Sequence, residues 1–168
     1  MNKKLSFFFL ILIASFIYAD VGERYTETEG GYSICPPLYW YIIEIPGFKY
    51  RIIYTDPING FSPNINFINE TFYGSLSQYI ESANQNLKMV YPDLELMNGE
   101  TFIINSGIIG YKQIFINSIS GNLLRQFSYC FKSDDKVWII TCTVNNGNGS
   151  RFEPIFDESV KTFEFIRH

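Results

Sequence analysis

The stretch LLRQFSYCFKSDDKVWIITCTVN, Leu123 to Asn145, decides how the chain folds. Two runs rich in aromatic and β-branched residues flank Ser133-Asp134-Asp135, which has the composition of a hairpin turn. Successive side chains of a strand point to opposite faces. With Phe131 opposite Trp138, residues Phe127, Tyr129, Phe131, Trp138, Ile140 and Cys142 share one face, and Cys130 lies on the other. A Cys130–Cys142 disulfide is then excluded, because the two Cβ vectors point apart.

Working outward, Thr101–Asn105 and Gly110–Ile119 read as earlier strands. Nearer the start, Tyr32–Cys35 is a short strand stopped by Pro36-Pro37. Tyr39–Ile45 and Phe48–Thr55 are the arms of a hairpin. Pro46-Gly47 between them suits a type II turn, since Pro presets φ and Gly accepts a positive φ. Asp56–Asn64 has loop composition, and Ile65–Ile68 resumes a strand.

Two helices stand among these strands. Ser75-Leu76-Ser77-Gln78 fits a capping box, and Leu76, Tyr79, Ile80, Ala83, Leu87 and Val90 then fall on one stripe before Pro92. The opposite face is polar, so this helix lies on a sheet rather than inside a core. Asn145–Ser150 reads as a loop. A second helix is expected over Glu153–Thr162, with Pro154 in its first turn and Phe152, Phe156, Val160 and Phe163 as its buried stripe. Phe165-Ile166 suits a closing edge strand. The expected class is α+β: one antiparallel sheet flanked by helices, with no internal repeat and no second domain.

The N-terminus has a different character. Met1-Asn2-Lys3-Lys4 is a basic head, Leu5–Ile17 an apolar run, and Ala19 a small residue before Asp20. That order is a secretory signal peptide, and the run is too short for a membrane span of about 20 residues. Expected are a leader at 1–19, a polar lead-in at 20–30 and one domain at 31–168. The mature chain would be secreted or periplasmic, without a stable membrane span after cleavage. Removing Lys3 and Lys4 leaves 11 basic residues against 17 acidic ones. With no basic block left, nucleic acid is a poor partner. The 16 Phe and 12 Tyr supply a large buried area for a chain of this size. Three cysteines cannot all pair within one chain. Either one disulfide leaves a free thiol, or all three are small buried apolar groups, the reading preferred here.

Several stretches resemble the PsbP-like family, named for an extrinsic subunit of photosystem II. Gly31-Tyr32-Ser33-Ile34 with Pro36/Pro37 and Trp40 resembles its opening strand and tryptophan. Gly60-Phe61-Ser62-Pro63-Asn64-Ile65-Asn66 resembles its middle loop, and Ser75-Leu76 with Tyr79 the start of its helix. Phe102 with Asn105-Ser106-Gly107, Gly110-Tyr111-Lys112 and Phe156–Phe163 resemble later segments. The resemblance implies an α/β/α sandwich and a non-catalytic accessory role in binding other proteins. Photosystem binding does not follow, because fold does not fix function.

Candidate sites are few. His168 is the only histidine and stands at the chain end, where a positioned imidazole for nucleophilic catalysis is not expected. Histidine–cysteine zinc chemistry is equally short of ligands. Asp56, Asn59, Asn64, Asn66, Asn69 and Glu70 are rich in oxygen, but their spacing matches no calcium loop, and turn chemistry explains them. Asp134-Asp135 reads as a solvated hairpin tip. Trp40 is assigned to the core, while Tyr39 and Tyr41 point the other way and suit an exposed binding patch. Asn69-Glu70-Thr71 and Asn148-Gly149-Ser150 match the N-glycosylation pattern. The interaction surface expected from sequence is Tyr39, Tyr41, Asp56, Asn59 and Asn64, with no cofactor. The expected function is an exported, non-catalytic accessory protein that binds another envelope or extracellular protein. A carboxylate-dependent hydrolase and a carrier of a small apolar ligand are the alternatives.

Overall fold

The long antiparallel ladder at the centre follows from the alternating stretch quoted above. The computed structural model describes residues 20–97 and 99–166. Strands β9 (Asn122–Ser133) and β10 (Lys136–Asn145) pair antiparallel with Trp138 opposite Phe131, the expected register. Phe127, Tyr129, Phe131, Trp138, Ile140 and Cys142 all enter one core, and Cys130 enters a second cluster with Val137 and Ile139. Residues 1–19, read above as a leader, and Asn98, Arg167 and His168 fall outside the described residues.

The remaining strands extend this ladder on both sides. They are β3 (Tyr41–Ile43), β4 (Ile52–Tyr54), β5 (Asn64–Thr71), β6 (Glu95–Leu96), β7 (Glu100–Ile103) and β8 (Ile109–Ile119). The order is β3-β4-β5-β10-β9-β8-β6, with β7 also on β8. The turn between β3 and β4 is type II as expected: Phe48 N donates to Ile45 O, and Gly47 has φ +91°.

The expectation of a single sheet needs correction. A second, three-stranded sheet forms from β1 (Tyr25–Glu27), β2 (Tyr32–Ile34) and β11 (Glu164–Phe165), in the order β1-β2-β11. Pro36 and Pro37 stop β2 after three residues. Its ladder partners come instead from residues 25–27, in the segment read as a lead-in, and from the chain end. Tyr32 fixes this small sheet on the large one. Its ring stacks on Phe67 at 4.8 Å and meets Trp138 edge-on at 5.3 Å.

Helices α1 (Leu76–Val90) and α2 (Gly149–Lys161) lie on opposite faces of the central sheet. The capping box is present in α1. The Ser75 side chain accepts from Gln78 N, and Gln78 Oε1 accepts from Ser75 N. None of the residues of α1 is fully buried. In α2, Phe152, Phe156 and Val160 are buried, and Phe163 follows them into the core. Each such side chain contributes roughly 1.5–3 kcal/mol by leaving water.

The start of α2 differs from the reading. It begins four residues before Glu153, so Pro154 sits in the second turn. Ser150 and Pro154 are both exposed, so water serves the carbonyl that loses its N–H partner. Gly149 opens the helix with Arg125 running beneath it, where a Cβ would meet the Arg125 side chain. The layers are therefore α1, the eight-stranded sheet, and a third layer made of α2 with the small sheet.

Candidate functional site

The two faces of the central sheet carry different chemistry, and the ladder register shows it. The inner face, toward α2, is the aromatic core. On the outer face, one row runs Tyr41, Tyr54, Asn64, Thr143, Gln126, Phe115 across six strands. The next row along β5, β10, β9 and β8 is Asn66, Thr141, Ser128, Gln113. Neither row holds a charge. Tyr41 and Tyr54 pack ring to ring at 5.4 Å, and Tyr41 is 49% exposed. Gln126 Nε2 donates to Thr143 Oγ1, and Asn64 Nδ2 donates to Ser62 O.

Toward the other end of this face, α1 stands off the sheet and leaves a mainly apolar groove of about 550 Å³. Ile68, Phe72 and Ile139 form its sheet side, and Tyr79, Leu87 and Val90 its helix side. Cys130 lines its floor, where burial pushes the thiol up to about 11, so it stays protonated at neutral pH. Near the groove mouth, Tyr79 Oη donates to Glu70 Oε2 at 2.9 Å.

On the inner face the structure brings together charges that sequence reasoning missed. Lys112 on β8 is 1% exposed. Its Nζ lies 2.7 Å from Glu153 Oε1, 2.9 Å from Asp157 Oδ1 and 3.4 Å from Glu100 Oε1. Tyr129 Oη donates to the same Asp157 Oδ1 at 2.7 Å. The ammonium also sits 5.8 Å from the Phe127 and Tyr129 ring centres. Burial alone would favour the neutral amine, yet the carboxylate hydrogen bonds outweigh it and raise the Lys112 pKa. Burial pushes the Tyr129 phenol well up, so it remains a donor. Two acids do converge here, one turn apart on α2, but both are engaged by one ammonium. The arrangement ties α2 to the sheet.

A sequence signal for this cluster existed. Lys112 has the parity of Ile114 and Ile116, so a charge sits within the buried set of its strand. Glu153 and Asp157 at i and i+4 flank the stripe of Phe152 and Phe156 and share a helix face.

Of the residues expected at an interaction surface, Tyr41 and Asn64 fall in one row with Tyr54 between them. Tyr39 is 85% exposed but lies in a turn with φ +66°, so strand alternation does not orient it. Asn59 has φ +53°, a conformation asparagine tolerates, and its carbonyl accepts from Asn145 Nδ2. Asp56 is exposed in the same loop. Trp40 is half-buried, with its ring 6.0 Å from Phe156 and 6.2 Å from Phe152. The oxygen-rich set does not converge. Asn64 and Asn66 face outward, Asn69 bonds Lys49 and Tyr50, and Glu70 accepts from Tyr79. Cys35, Cys130 and Cys142 are all unpaired.

No protein-family model matches the sequence, and no curated protein matches it. Solved structures do. Cyanobacterial PsbP (CyanoP) from Synechocystis sp. PCC 6803 is 15% identical with a TM-score of 0.62, covering 85% of this chain and 91% of its own. LpqN of Mycobacterium tuberculosis is 14% identical with a TM-score of 0.60, covering 89% and 88%. The Saccharomyces cerevisiae protein Mog1p is 11% identical with a TM-score of 0.60, covering 88% and 97%. At these identities the likeness is one of fold, and by its layers, its antiparallel central sheet and its two helices this chain has the PsbP-like fold.

Proposed function

We propose that this chain is an exported, non-catalytic accessory protein that works by holding another envelope or extracellular protein. The supporting observation is the fate of its convergent acids. Glu153 and Asp157 are committed to Lys112 and Tyr129, an arrangement that fastens a helix and leaves no free acid–base pair. The leader composition of residues 1–19 supports export, with a mature domain from Asp20 onward. Among the described residues no helix is long and apolar enough to cross a membrane. Two fold neighbours are in keeping with this reading: LpqN is described as involved in cell envelope biogenesis, and Mog1p as a Ran-binding protein. Tyr39, Tyr41, Asp56, Asn59 and Asn64 remain the surface proposed for contact.

The test uses the full chain, tagged at its C-terminus and expressed in a secreting host. The exported product is expected to start at Asp20 by intact mass. Immobilised, it should retain one envelope protein in fixed ratio, and the purified pair should re-form on mixing. A leader kept intact in the cytoplasm would overturn the export reading. Polysaccharide or peptide turnover that disappears in the E153Q/D157N variant would replace the binding role with a hydrolase.

The groove under α1 favours a second reading, a carrier of a small apolar ligand, since its 550 Å³ lies in the range of ligand pockets. Native mass spectrometry showing only the bare polypeptide mass would remove it.

A further inference from the structure

We infer that the outer face of the central sheet at its β3–β5 end binds neutral carbohydrate, along the row Tyr41, Tyr54, Asn64 and Gln126, with Thr143, 5% exposed, accepting from Gln126 Nε2 at the floor of the row. This rests on reading the chain as a binding protein and names a ligand class for a face that shares Tyr41 and Asn64 with the surface proposed above for protein contact.

The chemistry of the two rows is the first ground. The chain carries 13 basic and 17 acidic residues, yet none stands on either row. In their place stand amides and hydroxyls on adjacent strands. An amide offers donors and an acceptor side by side, and a hydroxyl offers both. Vicinal sugar hydroxyls suit that alternation, whereas an anionic ligand requires cations these two rows lack. The side chains of Asn66 and Thr141 are half-buried and make no hydrogen bond among the described residues.

The aromatic end of the row is the second ground. Tyr41 and Tyr54 lie at the β3–β4 edge with Tyr41 half exposed, offering a ring face to the apolar C–H side of a sugar. Beside them is a hollow of about 380 Å³ lined by Ile43, Phe48, Ile52, Tyr54, Asn64 and Asn66. It joins an apolar wall to the amide row, as an amphipathic pyranose ring needs.

Shape is the third. Neighbouring strands lie about 4.8 Å apart, so the span from β3 to β9 is about 19 Å, room for about four sugar rings in line. A protein interface wants its apolar residues at the centre and polar ones at the rim. Here the centre is amide and hydroxyl, and the aromatic residues stand at one end.

The test is an amide-resolved NMR titration of the exported full-chain product. The probes are cellotetraose and chitotetraose, with a sulfated tetrasaccharide as the charged control. At least one neutral probe should shift amides of β4, β5 and β10, and the sulfated one should not. Tyr41→Ala and Gln126→Met should each raise Kd about tenfold without moving Tm. Tyr41 is half exposed, and Met keeps the length of Gln, so the variants should fold. The inference is overturned if neither neutral probe shifts the spectrum, if the shifts map to the α2 side, or if both variants bind as the native chain does. If a captured envelope protein covers β4 and β5 while no sugar binds, this inference fails and the accessory-protein reading stands.

Discussion

The inner and outer faces of one sheet behave as two different materials. The inner face holds Tyr32, Phe67, Phe127, Phe131, Phe156 and Phe163, each at most 1% exposed, with one buried ammonium clamped among them. The outer face holds a three-residue cluster, a helix with no fully buried residue, and uncharged rows of amides and hydroxyls in which Thr143 and Gln113 are buried and Asn64 and Asn66 are half-buried. Strand alternation permits this division, because one strand serves both faces independently. The inner face supplies the stability, which frees the outer face from packing constraints.

The sharpest way to break this contrast is to cut into the inner face. Phe156→Ala should cost about 3–5 kcal/mol, because a fully buried ring leaves a cavity the sheet cannot close. Urea unfolding of the two chains measures it. A loss as small as that of an outer-face truncation would erase the distinction.

Lys112→Met comes next, at about 2–3 kcal/mol. It leaves Glu153, Asp157 and Tyr129 facing one another, though the two carboxylates are exposed enough to regain some water. The same variant has a pH signature. The folded pKa of Lys112 is raised, so its contribution is fully present below the unfolded value of about 10.4 and is lost as pH rises past it. The raised Tyr129 phenol acts in the same direction. Stability should hold to about pH 8, start to fall above about 8.5 as the unfolded thiols ionise while buried Cys130 and Cys142 stay protonated, and fall more steeply above about 10, where Lys112→Met should fall less steeply than the native chain. Urea midpoints across that range show whether the slope changes.

Ser75→Ala tests the outer layer and should cost about 1 kcal/mol, the value of one capping box. Far-ultraviolet circular dichroism should show α1 fraying while near-ultraviolet aromatic signals from the inner face persist. Simultaneous loss of both would mean that α1 and the core unfold as one unit.

The smallest effect is expected at Tyr41→Ala, within about 0.5 kcal/mol, because the residue is half exposed on an edge strand. A thermal scan of this variant beside Phe156→Ala gives the full range between the two faces.

The legibility of the chain follows the same division. The β9–β10 register was readable because slipping either strand by one residue would turn its core-facing side chains out of the core at once. The α1 start was readable because its cap is local, with Ser75 and Gln78 three residues apart. The α2 stripe was readable, but not the α2 start, which no local cap marks: the N-cap Asn148 makes no side-chain capping hydrogen bond. The three-stranded sheet was missed because its strands are two or three residues long and come from opposite ends of the chain. Of the expected surface residues, Tyr41 and Asn64 met in one row through Tyr54, a residue that no local pattern singled out.

The sequence by itself determined which side chains of β9, β10 and α2 face the core and where α1 is capped, through period-2 strands, a 3.6-residue stripe and a local cap, since these depend on neighbours along the chain. The tertiary structure alone decided that Lys112 meets Glu153 and Asp157, that residues 25–27 pair with β2, and that amides from separate strands form one row. Lys112 and Glu153 are 41 residues apart, while β1 and β2 are near neighbours whose strands are too short for a local pattern to mark, and only chain closure in three dimensions sets which of the possible partners meet.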